Sequence, residues 1–427
     1  MSSVRNKHKR LPSRAAALAV ACGVFVGTLA PAAYARSASA EQEATAGGVE
    51  DIVVTARRRS ERLQDIPVSI SAVTNEEIQR RDISSLEKLA ASTPQFTVAR
   101  ASNGSGAQLS LRGIGSSFTS IGIEQSVATV VDGVYYGQGR IINEGLFDLD
   151  RIEMLKGPQA LFYGKNSTAG VISIATADPG KDREVIARAG YEFRARQVLG
   201  EAIVSGPLSE TLGLRVAVRG SGMQRGYVEN VAGTIDAGLF DIATGTARTV
   251  NAAPAIRFGP KEREFLARAT LKWQPTNEFT ATIKGSINRT RNDNPSWNYI
   301  IYDCPAGTPV PAGAPCSRSF RNAQNGLPAE MAASFPLAKK GGRLANDYSS
   351  QGLTATLNYE LPGATVTSVT NYNDNRNVFV IDGDYYSSPA SNIWTTEDDK
   401  FRAFSSELRV LTTNDGPINL LDRKSVV

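Results

Sequence analysis

A two-residue periodicity runs through the chain beyond Gly180 and constrains its fold more than any other feature. In residues 212–219, Leu212, Leu214, Val216 and Val218 alternate with small or charged residues. Successive side chains of a strand point to opposite faces, so the pattern predicts strands with one apolar and one polar face. Eight such segments are predicted, at 183–193, 197–205, 212–219, 265–273, 279–287, 353–360, 365–372 and 401–411.

The connections between these segments alternate in length. Three are short, at 206–211, 274–277 and 362–363, and three are long, at 223–263, 289–351 and 373–400. Short turns on one side and long loops on the other are typical of outer-membrane β-barrels. Trp273, Phe279 and Tyr359 lie near the short turns, as an aromatic girdle requires. A soluble β-sandwich gives a similar alternation and is the alternative. No internal apolar run reaches the roughly 20 residues of a membrane helix.

The stretch FDLDRIEMLKGPQALFYGKNSTAGVISIAT at 147–176 is the second constraining feature. Its glycines and proline separate short apolar runs, the last of them β-branched, which predicts strands joined by tight turns. A nucleotide-binding phosphate loop is the enzymatic interpretation of Gly157, Gly164 and Lys165. That motif needs four residues between the glycines and a hydroxyl residue after the lysine. Here six residues separate the glycines and Asn166 follows the lysine, which argues against a phosphate loop.

The same stretch resembles the end of the plug domain of TonB-dependent outer-membrane receptors. Members of that family carry Arg-Ile-Glu, Leu-basic-Gly-Pro-Gln, Leu-Tyr-Gly, Asn and Ala-Gly in this order. LRGIG at 111–115 and VDGVYYGQGR at 131–140 also match, in the same order. The sequence departs from the family at Lys156, Ala160 and Phe162. The resemblance implies an α+β plug domain followed by an antiparallel transmembrane β-barrel, here incomplete at about eight strands.

The domain organisation follows from this resemblance. We expect a signal peptide at 1–35, a flexible periplasmic linker at 36–50, a TonB box at 51–57, a plug domain at 58–178 and a partial barrel at 179–427. An eight-stranded barrel is filled by its own side chains, whereas plugged transporters have about 22 strands. A plug of this length has a radius of gyration near ~13 Å and does not fit inside eight strands. We therefore expect the chain to be the front part of a longer receptor.

The predicted TonB box consists of Asp51, Ile52, Val53, Val54, Thr55 and Ala56. This short β-branched run follows a small, polar linker, and the alternative is an ordinary first strand. An extended segment on a tether can add to the edge of a partner's sheet through main-chain hydrogen bonds. The resemblance implies TonB, acting with ExbB and ExbD, as that partner.

The resemblance also implies roles for two sets of plug residues. In the family, plug loops facing the outer vestibule help hold the ligand, and the matching residues here are Ser116, Ser117, Phe118, Tyr135, Tyr136, Gln138 and Arg140. Basic turn residues of the plug face acids on the inner barrel wall, and the matching positions are Arg112 and Lys156. Those acids are expected beyond Val427. In this chain we therefore expect Arg112 and Lys156 to be exposed or paired with local acids such as Glu153.

The N-terminus has the basic, apolar and A-x-A regions of a secretory signal peptide, and a transmembrane anchor is the alternative. Arg5, Lys7, Lys9, Arg10 and Arg14 account for the formal net charge of +5. The mature chain is therefore near neutral, and nucleic-acid binding is not expected. The chain's one histidine also lies in this leader, so no histidine remains for a catalytic triad or a zinc site. We predict neither an enzyme nor a bound cofactor or metal.

Cys304 and Cys316 bracket a loop rich in proline and glycine. In an exported protein, two cysteines that close a short loop predict a disulfide. Closing a loop of this size contributes roughly 3 kcal/mol by chain-entropy arithmetic.

The predicted function is energised uptake of a scarce solute, with a ferric siderophore as the expected ligand and outer-membrane lipid as the surroundings. TonB uses the inner-membrane proton gradient to shift the plug, and no bond in the ligand is broken. A signal-transducing receptor is an alternative, but it needs a further periplasmic domain, and only about 15 residues precede the box. A passive porin is a further alternative, but the plug and the TonB box argue against it, because a passive pore needs neither. Haem, cobalamin, oligosaccharide and aromatic ligands stay open, because fold does not fix the ligand.

Overall fold

The structure of the protein is a computed structural model. The described residues are 53–55, 61–100, 106–117, 124–241, 244–295, 302–303, 317–318, 320–335, 337–338, 341–384, 387, 389, 393–413 and 419–426. The predicted signal peptide and linker lie outside these ranges, as do Cys304 and Cys316 of the predicted disulfide.

Short strands and helices build the N-terminal domain, hereafter the plug. Its strands are β1 (Val53–Val54), β2 (Glu61–Arg62), β3 (Ile70–Thr74), β4 (Phe96–Arg100), β5 (Ala107–Leu111), β6 (Ile114–Gly115), β7 (Val127–Val131), β8 (Val134–Tyr136), β9 (Leu149–Lys156) and β10 (Gly170–Thr176). Its helices are α1 (Asn75–Arg80), α2 (Leu86–Ser92) and α3 (Ala160–Tyr163), with 3₁₀ turns at Leu63–Asp65 and Gly139–Asn143. Strands β3, β9, β10, β7 and β8 lie side by side in one mixed sheet, and β4, β5 and β6 form a second sheet.

The stretch at 147–176 supplies two inner strands of the mixed sheet. β9 pairs antiparallel with β10, with Met154 opposite Ile172, and β10 pairs parallel with β7. Both side chains are fully buried in the main core cluster of the plug. Gly170 begins β10 with a φ of 149°, and a side chain there would clash with the carbonyl of Leu155. This close approach of two backbones requires glycine.

Side-chain caps set where the first two helices begin. Thr74 accepts a hydrogen bond from the backbone N–H of Glu77, as its Thr-x-x-Glu spacing predicts. α2 begins at Leu86, because Ser85 accepts a hydrogen bond from the backbone N–H of Lys88. The side-chain ammonium of Lys88 donates to the Ser84 hydroxyl at 2.9 Å.

The rest of the chain is dominated by one antiparallel sheet. Its strands and those of its loops are β11 (Glu184–Glu192), β12 (Gln197–Pro207), β13 (Leu212–Met223), β14 (Val228–Asn230), β15 (Ile235–Asp241), β16 (Thr246–Ala252), β17 (Phe258–Gly259), β18 (Lys261–Trp273), β19 (Phe279–Asp293), β20 (Tyr302–Asp303), β21 (Ser317–Arg318), β22 (Arg321–Asn322), β23 (Ala345–Leu361), β24 (Ala364–Asp382), β25 (Trp394–Thr412) and β26 (Leu421–Val426). The long loop between β19 and β23 also contains the helix α4 (Ala329–Ser334). Nine strands, in the order β11-β12-β13-β18-β19-β23-β24-β25-β26, form the barrel sheet.

All eight predicted segments are strands of the barrel sheet, and β26 is a ninth that the sequence analysis missed. Several strands also extend further into the predicted loops, and β24 reaches Asp382 rather than ending near Tyr372. The reason lies in the inner face of β24, where Asn373, Asn375 and Asn377 are buried. Polar residues on both faces remove the alternation of hydrophobicity, although the backbone ladder continues.

The barrel sheet has one face against the plug and one face directed outward. Trp273, Phe279 and Tyr359 form an aromatic row on the outer face, with ring centroids 5.9 and 6.3 Å apart. On the inner face, Leu266 packs against Phe147 of the plug in a buried cluster. Within the described part of the chain, none of the helices is both long and apolar enough to cross a lipid bilayer.

Candidate functional site

The described part of the predicted TonB box is docked on the plug. Val53, Val54 and Thr55 are described, whereas Asp51, Ile52 and Ala56 lie outside the described residues. Val54 has no exposed surface and packs with Leu155 and Tyr163 in the second core cluster of the plug. Strand β1 pairs antiparallel with β2, which places Val53 opposite Arg62.

A buried carboxylate holds the residue that follows β1. Glu153 is 1% exposed, and its Oε1 accepts from the backbone N–H of Thr55 at 2.8 Å and from the Thr55 hydroxyl at 3.2 Å. Arg151 donates to the same oxygen at 2.7 Å and to the Thr55 hydroxyl at 3.0 Å. We call Thr55, Arg151 and Glu153 the Thr55 latch. The latch joins the box segment directly to strand β9.

Two of the three latch residues lie on β9, and their spacing explains this geometry. Arg151 and Glu153 are two residues apart on one strand, so their side chains project from the same face. Burial disfavours the charge of Arg151, but the hydrogen bond and charge of Glu153, together with Asp150, hold the pKa of Arg151 above its ordinary value. The guanidinium therefore stays charged and keeps the Glu153 carboxylate paired.

Charged pairs also join the plug to the barrel sheet, and in the pairs that cross this interface the acid lies on the plug and the cation on a strand; Glu184, on β11, adds a pair within the sheet. Arg215 of β13 donates to both oxygens of Asp148 at 2.6 to 3.0 Å and to Glu184 at 2.9 Å. The side chains of Arg215 and Asp148 are only 9% and 3% exposed. Arg268 of β18 lies 4.5 Å from the ring centre of Phe147 and donates to its carbonyl at 3.0 Å.

A third cation, Lys284 of β19, is surrounded by oxygen atoms of the plug. Its ammonium lies 3.2 Å from Asp132, 2.8 Å from the Thr176 hydroxyl and 2.9 Å from Asp178. Burial opposes ionisation of Asp178, but the ammonium groups of Lys284 and Lys272 hold its pKa below the ordinary value. The end of the plug is thus anchored where the chain enters the barrel sheet.

Polar contacts continue this interface toward the loop side of the sheet. Glu144 accepts from the hydroxyl of Tyr348 at 2.7 Å and from the side-chain amide of Asn288 at 3.0 Å. Asn288 also donates to the carbonyl of Asn143 at 2.8 Å. The sequence analysis identified none of these contacts. One feature of the sequence could have indicated them: charged residues such as Arg215 and Lys284 occupy strand positions whose side chains face inward.

Arg112 and Lys156, the predicted basic residues of the plug–barrel contact, lie elsewhere. Arg112 is exposed in a turn with a φ of 52°, and it donates to Ser69 at 3.0 Å and to Gln95 at 3.4 Å. Lys156 is half-buried at the end of β9. Their pairing with barrel acids stays a prediction.

The described residues among those predicted to face the ligand have different surroundings in the plug. Ser116 accepts from the backbone N–H of Ser126 at 2.8 Å, Ser117 is exposed, and Phe118 lies outside the described residues. Tyr135 packs in the second core cluster of the plug and Tyr136 in the first. Burial raises the pKa of both tyrosines, that of Tyr135 to about 12.

Arg140 and Gln138 begin the turn that follows these tyrosines. Arg140 is 4% exposed and lies 5.8 Å from the ring centre of Phe401 in β25. Burial lowers the pKa of Arg140, which the nearby carboxylate of Asp399 opposes. Gln138 is half-buried beside it. Arg140 thus faces the barrel sheet, and a ligand-binding role for either residue stays a prediction.

A cavity of about 740 Å³ separates the plug from strands β11, β12, β13 and β18. Its lining includes Lys88, Arg100 and Arg219 as well as Glu262 and Glu264. This side of the plug therefore faces mixed charges rather than packed apolar side chains. Among the described residues, no group of histidine, cysteine and acidic side chains is placed to hold a metal ion.

Comparison with known proteins identifies the N-terminal domain. The family model "TonB-dependent Receptor Plug Domain" matches residues 62–171. The iron-regulated outer membrane virulence protein of Vibrio cholerae is 29% identical over 189 residues, which is 42% of this chain and 29% of that protein. The hemin receptor of Yersinia pestis is 24% identical over 202 residues, which is 46% of this chain and 28% of that protein.

The fold of the whole described chain is similar to that of solved receptors. The ferric yersiniabactin uptake receptor of Yersinia pestis matches with a TM-score of 0.57 and 17% identity, over 84% of this chain and 48% of that protein. The chain thus spans about half of this solved receptor and under a third of the two curated relatives. The shared fold is a plug domain against an antiparallel barrel sheet, and these proteins are transport receptors rather than enzymes.

Proposed function

We propose that this chain, which belongs to the TonB-dependent outer-membrane receptors, serves energised uptake of a ferric siderophore. The observation that carries the proposal is the docked box segment. Val54 is buried in the plug core, and Thr55 is bound by Glu153 and Arg151 of β9. A pull on this segment therefore acts directly on an inner strand of the plug.

The partner in this proposal is TonB, which acts with ExbB and ExbD. Among the described residues, strand β1 is two residues long and pairs only with β2, so little described backbone pairing holds it. An extended segment of this kind can pair with the sheet edge of a partner through main-chain hydrogen bonds. The force would then reach β9 through the Thr55 latch and shift the plug against the barrel sheet.

The proposed ligand class is a ferric siderophore. One relative is named as iron-regulated, one as a hemin receptor, and one solved structure as a ferric yersiniabactin uptake receptor. Two of these names specify iron or a ferric chelate, and we take the ferric chelate as the solute.

A proline in the box tests the proposal. Val53→Pro removes a main-chain donor and prevents strand addition, so we expect uptake of radioactive ferric siderophore to be lost in cells carrying the full-length receptor. Binding of the same chelate to de-energised cells should be unchanged. Val53→Thr, which keeps the N–H and β-branching, is the matched control and should retain uptake.

Two results would contradict the proposal. Normal uptake by the Val53→Pro receptor would show that this segment is not the TonB box. Failure of the unmodified receptor to bind any ferric chelate, with binding of a non-iron solute instead, would remove the ligand class but leave the box assignment intact.

A further inference from the structure

Two aspartates lie close together where β24 enters the long loop before β25. Asp382 is the last residue of β24, and Asp384 follows it by two residues. β24 is 19 residues long, so its ends lie roughly 45 Å apart along the barrel axis at a tilt of about 40°. The apolar band of an outer-membrane barrel is only about 25 Å tall, so both aspartates lie beyond it, among the loops.

Both carboxyl groups are withdrawn from water. Asp382 is 3% exposed, and the two carboxylate oxygens of Asp384 are buried without a hydrogen-bond donor among the described residues. Burial, together with the side chain of Asp384 beside it, raises the pKa of Asp382 above its ordinary value. Within the described part of the chain, neither aspartate has a lysine or arginine partner. Two carboxyl groups in one buried site need either a shared proton or a bound cation.

A buried asparagine brings three long loops together at this site. The backbone N–H of Asn325, in the loop between β19 and β23, donates to Asp382 at 3.1 Å. The side-chain amide of Asn325 donates to the carbonyls of Gly233 at 2.9 Å and Ala252 at 3.0 Å, both in the loop between β13 and β18. Trp394, the first residue of β25, donates to the Asn325 carbonyl at 3.2 Å.

The remaining side-chain oxygen of this asparagine is also unsatisfied. Asn325 is 1% exposed, and its Oδ1 is buried with no donor in the described ranges. The two carbonyls that accept from Nδ2 fix the orientation of the amide, because exchanging N and O would place Oδ1 against both of them. An acceptor oxygen is therefore left over on the residue that contacts Asp382. We call Asp382, Asp384 and Asn325 the loop junction.

A site built from oxygen atoms alone suits calcium. Ca²⁺ takes about six to eight oxygen ligands from carboxylates, side-chain amides, backbone carbonyls and water, in a flexible geometry. Mg²⁺ demands a near-ideal octahedron, and zinc is bound mostly through nitrogen and sulfur. Two carboxylates balance the charge of one divalent cation. The loop junction differs from a site made only of histidine, cysteine and acidic side chains, because amide and carbonyl oxygens and water complete its ligand set.

We propose that the loop junction binds a calcium ion from the external medium and that this ion holds the three long loops together. The proposal replaces the sequence-based expectation that the chain binds no metal. With two carboxylates the expected dissociation constant is about 10⁻⁴–10⁻³ M, the range of extracellular calcium modules. The inference rests on the proposed outer-membrane location, and it does not depend on TonB or on the transported solute.

Terbium luminescence tests the site in the purified full-length receptor. Tb³⁺ occupies calcium sites and is excited by energy transfer from a nearby indole, so we expect emission through Trp394 that excess Ca²⁺ removes. Asp382→Asn/Asp384→Asn should bind Tb³⁺ at least about tenfold more weakly, because both charged ligands are lost. The control Asp236→Asn/Glu330→Gln removes two exposed loop carboxylates and should bind like the unmodified receptor. Equal binding by the junction variant and this control would overturn the proposal.

Thermal unfolding separates lost binding from lost folding. In the presence of a chelator, the junction variant should unfold at or above the midpoint of the unmodified receptor, because the repulsion between the carboxyl groups is gone. Millimolar Ca²⁺ should then raise the midpoint of the unmodified receptor and of the control, but not that of the junction variant. Absence of any calcium effect on the unmodified receptor would show that the aspartates only share a proton, and the proposal would fail.

A substitution at the indole locates the ion. Trp394→Phe should lose most of the terbium emission and keep the calcium-induced rise in the thermal midpoint. Unchanged emission from this variant would place the ion at another site and overturn the proposal. These measurements use purified receptor and neither TonB nor ferric chelate, so their failure leaves the proposed uptake function untouched.

Discussion

At the scale of single residues, Glu153 has the most demanding position in the plug. Its buried Oε1 accepts from the backbone and hydroxyl of Thr55 and from Arg151. A buried charge is tolerated only when it is paired and hydrogen-bonded, and here the pairing comes from two separate segments of the chain. Arg151 and Glu153 also bond to each other, so the pair keeps its charge compensation when the box segment leaves the plug.

Glu153→Gln tests the strength of the latch. The substitution replaces charge-assisted hydrogen bonds by neutral ones, and we expect the docked segment to lose about 1.5 kcal/mol, or about tenfold in its opening equilibrium. Hydrogen exchange of the Thr55 amide reports this opening. Asp150→Asn makes the same charge change at a half-exposed carboxylate and should leave the exchange rate within about twofold. Equal exchange in the two variants would show that Glu153 does not hold the box.

At the scale of elements, alternation predicted the strands well where one face is apolar. β13 begins and β18 ends where predicted, because Val216, Val218 and Leu271 mark the outer face, but each strand continues four residues beyond its predicted segment on the loop side. The same signal failed on β24, where both faces are polar beyond Tyr372. The plug–sheet ion pairs were missed for a different reason. Their partners, such as Asp148 and Arg215, are far apart in sequence, and only the register of the sheet brings them together.

Arg215→Gln tests how strongly the plug is joined to the barrel sheet. The change leaves Asp148 buried without its partner, and breaking a buried pair in this way costs about 3–5 kcal/mol in the free energy of unfolding. We expect this loss in the denaturant unfolding of the plug, followed by hydrogen exchange of the β9 amides. Arg248→Gln breaks an exposed pair with Glu330 and should cost under about 1 kcal/mol. A loss of that size for Arg215→Gln as well would mean that the pair does not anchor the plug.

At the scale of the whole molecule, the barrel sheet and the plug depend on each other. On the inner face of the sheet, Arg215 and Lys284 pair with acids of the plug and Asn288 donates to the plug, whereas the outer face exposes apolar side chains such as Val216, Phe265 and Leu353. In the described sheet, β11 and β26 each pair with one neighbour, so each leaves one edge of backbone groups unpaired. A lipid bilayer offers no hydrogen bonds to such edges, and closed barrels are the only sheets that span it.

The open sheet leads to a prediction for the 427-residue chain expressed alone. Unpaired edges are not tolerated in lipid and promote aggregation, so we expect this polypeptide neither to insert as a closed barrel nor to transport ferric siderophore. Electrophoresis of unheated samples in detergent gives the measurement, because a closed barrel resists detergent and migrates differently after boiling. The full-length receptor, prepared in parallel, should show that shift. A heat-modifiable band from the 427-residue chain, or uptake by cells carrying it alone, would show that its nine strands close by themselves or with further copies.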